Sequence, residues 1–315
     1  MLKTLREKFD QVTGRLLGST VLCPNGACSH VGPGLTTAGA GDFPVCAICR
    51  TPLPASQQHS LPPFPVAVLG GTGTGKTVWL LQSLAALCNE TKHQEGPEAR
   101  FALAEQYEKF SRSHGGLKMG RWPMTTSTNV PIALCVNVTT SGSKSQLYVY
   151  DLAGVECREA ARLRRHLYLQ HVRGVVFMID PFALPQVREK YAAQLKHTRT
   201  NVRPSSTPAE DILSALLQTL HEVGGQDTRQ LAVAAILSKT EAFDLGRQID
   251  AAGASNTEQH ACRQSLIAWG GGHTVRALEH HFASVAYFRC RVGTTGLQSP
   301  HRPLLWLMGM DPELG

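Results

Sequence analysis

Residues 70–77 read Gly70, Gly71, Thr72, Gly73, Thr74, Gly75, Lys76, Thr77. The spacing, a glycine, four residues, then Gly-Lys-Thr, suits the wrapping of backbone N–H groups around phosphate oxygens. Glycine lets successive N–H groups curl toward an anion with no Cβ in the way. Lys76 supplies a point charge for β- and γ-phosphates, and the Thr77 hydroxyl is a ligand for Mg²⁺. Gly70, Gly73, Thr74, Gly75, Lys76, Thr77 and Val78 are therefore the candidate nucleotide-phosphate residues. A second turn, Asp151, Leu152, Ala153, Gly154, closes an apolar run downstream. Asp151 is placed to hold Mg²⁺, directly or through water. Gly154 would let a backbone N–H approach the γ-phosphate, coupling the following segment to nucleotide state.

Four cysteines form a separate constellation. Cys23 and Cys28 make a C-x4-C pair, and Cys46 and Cys49 make a C-x2-C pair seventeen residues later. Two thiol pairs on turn-rich knuckles match a four-thiolate zinc site. Zn²⁺ accepts tetrahedral sulfur ligands. His30 is an alternative ligand to Cys28. Four protein ligands leave no open position for substrate, so the site reads as structural. Some 30 residues hold too little core to fold alone, and metal binding would supply the folding energy.

These residues need a frame. Phe64–Leu69 is an apolar, β-prone run entering the glycine turn, and Val78–Cys88 continues beyond it as a helix. Helix start and phosphate loop then coincide, which points the positive end of the helix at the anion. The runs 132–138 and 147–150 predict a hairpin. Those at 175–179, 231–237 and 284–288 read as buried parallel strands. Thr207, Pro208, Ala209 and Glu210 spell a capping box opening a helix to about Val223. A closing helix is expected from Arg302. Strands alternating with helices imply an α/β fold, a doubly wound, mostly parallel sheet with phosphate at its carboxyl edge. Residues 90–130 are polar and glycine-punctuated, with one helical piece at 101–110, and so long a stretch is usually functional.

The expected organisation is an amphipathic helix over 1–20, a zinc ribbon over 21–52, a Pro/Ser/Gln-rich linker over 53–63 and a nucleotide domain over 64–315. At 315 residues, with 42% hydrophobic and 17% charged, the composition is that of an ordinary globular protein. A net charge of +7 permits nucleic-acid contact without arguing for it. The charge is spread along the chain, with a local cluster of Arg162, Arg164, Arg165 and His166 that reads as a solvated face of a basic helix over Glu159–His171. No stretch approaches the roughly 18 apolar residues of a membrane span, and the N-terminus lacks a secretory h-region. Nine cysteines, an odd number, fit a reducing cytoplasm better than a disulfide framework.

With Gly70–Thr77, Asp151–Gly154, and Ser238, Lys239, Thr240, Glu241 after the strand at 231–237, residues 64–312 resemble a translation-factor-type (TRAFAC) P-loop GTPase. The nearest resemblance is to the double-GTPase families of bacterial conflict systems, which include a zinc ribbon ahead of the domain. The resemblance implies GTP and GDP as ligands with Mg²⁺, and unknown protein partners. It implies that Lys239 lies over the base and that a carboxylate reads guanine. Glu241 stands where such proteins carry Asp, with Asp244 in reserve, and Ser238 replaces the usual Asn or Thr. It also implies a Mg²⁺-binding switch threonine, Thr125 or Thr126, and an arginine finger, for which Arg121 is the candidate. Val155 occupies the place of the water-orienting Gln, so intrinsic hydrolysis is expected to be slow, with Glu156 the alternative for positioning water. Two other readings stay open: an ATPase whose ribbon grips nucleic acid, and a nucleotide-binding scaffold without turnover.

Overall fold

A computed structural model describes residues 21–32, 36–38, 44–54, 61–89, 97–121, 129–140, 142–196, 202–224, 227–253, 257–290 and 300–310. The expected N-terminal helix, most of the linker, and Thr125 and Thr126 lie outside the described residues.

The strands are β1 (Val21–Leu22), β2 (Val31–Gly32), β3 (Thr36–Ala38), β4 (Pro44–Cys46), β5 (Pro63–Gly70), β6 (Glu98–Phe101), β7 (Leu134–Thr140), β8 (Ser143–Asp151), β9 (Gly174–Ile179), β10 (Ala232–Leu237) and β11 (Ser284–Arg289). The helices that frame the site and the core are α1 (Lys76–Asn89), α2 (Ala104–Lys118), α3 (Ala209–Gly224), α4 (Leu245–Ala252), α5 (Glu258–Leu266), α6 (Gly272–His281) and α7 (Arg302–Leu307). The main sheet has seven strands in the order β11-β10-β9-β5-β8-β7-β6. From β11 to β8 the pairs are parallel; β7 runs antiparallel to β8, and β6 antiparallel to β7. The predicted hairpin and parallel strands are present. β6 is an edge strand that its four residues, Glu-Ala-Arg-Phe, are too short to announce.

β5 sits centrally because both of its faces are apolar. Ala67 and Leu69 enter one core cluster while Val66 and Val68 enter the other, as the two-residue period of a strand requires. Trp79, Leu80 and Leu84 of α1 and Leu304 of α7 cover the second face. Leu213 and Leu216 of α3, Ile249 of α4 and Val275 of α6 cover the first. Each fully buried Leu or Ile adds about 1.5–3 kcal/mol.

Two local expectations fail. Glu159–His171 is not one helix: it is a turn of helix at Ala160–Leu163 and a 3-10 turn at Leu167–Gln170. His166 breaks it, with a non-helical φ of −94° and ψ of 83°, where its ring is driven into the core. The capping box at Thr207 does not form either. Thr207 Oγ1 is buried without a hydrogen-bond partner, and its backbone N–H is taken by Ser205 Oγ at 3.3 Å.

The cysteine ribbon is two small hairpins, β1 with β2 and β3 with β4. Leu53 packs with Cys23 and Cys46 in a small core of its own. Leu22, by contrast, belongs to the core under the main sheet. The ribbon therefore lies on the nucleotide domain.

Candidate functional site

Gly70 ends β5, and the chain turns over Gly71–Gly75 into α1. Gly70, Gly73 and Gly75 hold positive φ of 153°, 80° and 89°, a conformation most side chains disfavour. Thr74 Oγ1 donates to the Gly71 carbonyl at 2.9 Å and pins the turn. Lys76 is buried, and its ammonium donates to the carbonyls of Gly70 (2.7 Å) and Gly71 (3.0 Å). Burial lowers its pKa, while the nearby Cys157 and Asp151 act to raise it. The lysine is thus stored against its own loop, within reach of any phosphate the loop accepts. Val78 follows in the first turn of α1, its side chain in the core.

Parallel pairing of β5 with β8 sets Val68 beside Asp151, at the same edge of the sheet as the loop. Thr77 Oγ1 donates to Asp151 Oδ2 at 2.8 Å. A hydroxyl and a carboxylate converging on a phosphate loop are hard oxygen donors of the kind Mg²⁺ takes. These two residues fit the ion.

Gly154 lies directly on the loop. A Cβ there would stand 2.3 Å from the Thr72 nitrogen and 2.6 Å from the Gly71 carbonyl carbon, so a larger residue fits only if the backbone shifts. On another side Ser205 covers Gly71, its Oγ 2.1 Å from where a Gly71 Cβ would be. A cavity of about 190 Å³ adjoins the loop here, lined by Gly71, Thr74, Asp180, Ser205, Thr207 and Thr274.

Glu156 is buried after this turn. Its Oε2 accepts from Arg165 at 2.6 Å, and Arg162 approaches Oε1 at 3.6 Å. His166 Nε2 lies 3.5 Å from Oε2, and burial lowers the His166 pKa. The carboxylate is engaged by arginines. Arg164 pairs with Glu222 of α3. Arg164 thus ties this segment to α3, while Arg162 and Arg165, themselves exposed, close on a carboxylate of their own segment.

Ser238, Lys239 and Thr240 tie the ends of three strands together. Ser238 bonds to the Ile179 carbonyl of β9, and Thr240 Oγ1 donates to the Cys290 carbonyl after β11 at 2.9 Å. Lys239 has a φ of 55°, and its ammonium donates to Asp180 Oδ2 and to the Arg203 carbonyl, each at 2.6 Å. Asp180 also accepts from the N–H groups of Phe182 (3.0 Å) and Ser205 (2.7 Å). Sequence reasoning gave Asp180 no role; the one signal was its position closing an apolar strand. Glu241 is exposed on the turn after Thr240. Its charge adds to burial in raising the Cys290 thiol to about 12. Asp244 is half-buried, 3.4 Å from Lys190. Arg121 is exposed beyond the end of α2, with its guanidinium 3.5 Å from Met119 Sδ.

The four ribbon cysteines converge. Cys23 Sγ and Cys49 Sγ are 3.4 Å apart, Cys28 Sγ and Cys46 Sγ are 3.9 Å apart, and all four lie within 4.8 Å of one another. Four sulfurs about 2.3 Å from one Zn²⁺ would stand about 3.8 Å apart, so the donor set fits the ion. All nine cysteines are free thiols, and His30 is not in the cluster. Burial raises the Cys23 and Cys28 thiols. At Cys49 burial is outweighed by hydrogen bonding to Thr51, which holds the thiol at about 7.

A central parallel strand, a lysine-bearing glycine loop at a helix N-terminus, and a carboxylate delivered by the adjacent strand define a P-loop nucleotide-binding protein. The Double-GTPase 2 family model matches residues 65–298, most of the chain, and the protein belongs to that family. Membership makes a guanine nucleotide the ligand implied for the loop. No curated protein matches the chain. Among the described residues no helix is long and apolar enough to cross a membrane.

Proposed function

We propose that this protein is a guanine-nucleotide switch that hydrolyses GTP slowly and acts through partner proteins. The observation that carries the reading is the 2.8 Å bond between Thr77 Oγ1 and Asp151 Oδ2 beside a loop that already stores Lys76. With Mg²⁺ bound, Thr77 and Asp151 would hold the ion, which neutralises charge on the β- and γ-phosphates. Lys76 would exchange the Gly70 and Gly71 carbonyls for phosphate oxygens. Gly154 would turn its N–H to the γ-phosphate and carry residues 151–170 with it. Lys239 would flank the guanine, and Glu241 would read its edge. Val155 leaves the water-orienting position without a polar side chain, and Glu156 is engaged by Arg165, which together favour slow turnover. A cytoplasmic setting and a role in a bacterial conflict system follow the resemblance of the sequence and belong to this proposal.

The test is calorimetric binding of GTP, GDP and ATP analogues with Mg²⁺, repeated on Lys76→Ala and Glu241→Ala. Guanine-selective binding, lost with Lys76→Ala and loosened by Glu241→Ala, is expected. Adenine preference would replace the reading with that of an ATPase. Binding with no turnover, alone or with a cellular extract, would replace it with that of a scaffold.

A further inference from the structure

The knuckle between Cys23 and Cys28 is joined to both of the segments that flank the nucleotide site. Its Pro24 carbonyl accepts from the Ala133 N–H at 2.8 Å, and Asn25 forms an antiparallel bridge with Ile132. The Gly26 N–H donates to the Pro131 carbonyl at 3.0 Å. The Gly26 carbonyl in turn accepts from the Tyr168 N–H at 3.3 Å. Residues 131–133 lead out of the long segment between α1 and β7, and Tyr168 closes the segment that begins at Asp151. One residue, Gly26, therefore bonds to both.

The fit at Gly26 is tight. A Cβ there would lie 2.8 Å from the Pro131 carbonyl oxygen, 2.9 Å from the Tyr168 ring and 3.0 Å from Val130. Beneath the knuckle the Tyr168 ring stacks on Tyr150, with centroids 3.9 Å apart and planes 5° apart. Tyr150 is the residue before Asp151. Three backbone bonds, Cα to Cα, separate this stacked pair from the residue whose carboxylate meets Thr77. Tyr168 keeps a buried hydroxyl without a hydrogen-bond partner at this junction, so that side chain loses no hydrogen bond when the contact opens.

We propose that the knuckle is a strut by which metal occupancy of the four-thiol cluster controls nucleotide binding, a proposal that rests on the nucleotide reading above. The cluster fixes the turn Cys23–Cys28 only when its thiolates share an ion, because so small a ribbon has no core sufficient to hold it. A fixed turn holds residues 131–133 and 168 in place. Segments already ordered cost less entropy to order around nucleotide, so each ligand favours the other. The effect must be reciprocal: zinc tightens nucleotide binding, and nucleotide tightens zinc binding by the same factor. The bistable element is the knuckle, docked or undocked.

The experiment uses the full chain, zinc-loaded and zinc-stripped. Affinity for a GTP analogue with Mg²⁺ is measured by calorimetry on both forms. Zinc affinity is measured by competition with a chromophoric chelator, with and without the analogue. Both affinities are expected to change by about fivefold or more, in the direction just given. Hydrogen exchange in the stripped protein should quicken over 129–140 and 163–172 and stay unchanged over 232–237 and 284–289. Gly26→Val keeps all four cysteines but cannot seat on Pro131 and Tyr168. It should retain its zinc while nucleotide affinity becomes independent of it, and Gly142→Ala, at an open turn, serves as the control. Wild-type protein that binds nucleotide equally with and without zinc overturns the coupling alone. Wild-type protein that binds no nucleotide overturns the nucleotide reading and the coupling with it. The wild-type comparisons decide the matter even if Gly26→Val sheds its metal.

Discussion

Gly154 is seated on the backbone of Thr72: a Cβ on the glycine would lie 2.3 Å from the Thr72 nitrogen. Two motifs 82 positions apart in the chain thus meet main chain to main chain. A Gly154→Ala change must push the segment after Asp151 off the loop, at a cost of about 1–3 kcal/mol if the loop shifts to accommodate it. The expected result is a ratio of GTP to GDP affinity that collapses toward unity, while phosphate binding through Lys76 persists. Calorimetry with both nucleotides reads that ratio.

Asp151→Asn keeps the size of the side chain and removes its charge. The Thr77 hydroxyl still finds an acceptor, so the fold should survive. Charge-assisted bonds are worth about 1.5–3 kcal/mol, which corresponds to roughly ten- to a hundredfold in affinity. The gain in nucleotide affinity on adding Mg²⁺ should shrink by that factor, and affinity in the presence of a chelator should barely move. An unchanged Mg²⁺ dependence would remove Asp151 from the ion site.

Asp180 is buried and holds together Lys239, Ser205 and the first turn after β9. Replacing it with Ala leaves Lys239, whose side chain is only 16% exposed, without its carboxylate. Breaking such a pair costs about 3–5 kcal/mol. Asp180→Ala should lower the denaturation midpoint far more than Asp244→Ala, whose partner Lys190 is half-exposed. Equal effects would mean that Asp180 is not a structural hub.

Zinc content is directly measurable. Freshly purified protein should carry about one zinc per chain, as a closed four-thiolate site requires. Cys46→Ser should lose it and expose residues 21–54 to protease, leaving the main sheet folded.

The buried His166 makes stability depend on acidity. Burial depresses its pKa in the folded state, although Glu156 pulls it back up. The unfolded chain therefore binds more protons as pH falls past about 6.5, so the His166 contribution is intact above that range and lost below it. Melting temperatures at pH 7.5 and 5.5 should differ more in wild-type protein than in His166→Gln. The opposite ordering would show that the imidazole is charged in the fold.

Much of this architecture is legible in local spacing. The phosphate loop, the two thiol pairs and the apolar strands at 66–69, 175–179 and 232–237 announce themselves because turn chemistry and strand period act over a few residues. The arginines at 162, 164 and 165 are exposed, as a charged run suggests, but the run does not show that Glu156 and Glu222, the latter more than fifty positions away, pair with them. Asp180 stays silent because its partners Lys239 and Ser205 come from other elements.

The sequence alone determined that a phosphate-loop pattern stands at Gly70–Thr77 and that two thiol pairs lie near the start of the chain, because each depends on neighbours along the chain. Only the tertiary structure decided that Thr77 meets Asp151, that Gly154 rests on Thr72, and that Gly26 bonds to both Pro131 and Tyr168. Those contacts depend on which strands lie side by side, and β5 takes β8 and β9 as neighbours through hydrogen bonding and burial over the whole sheet.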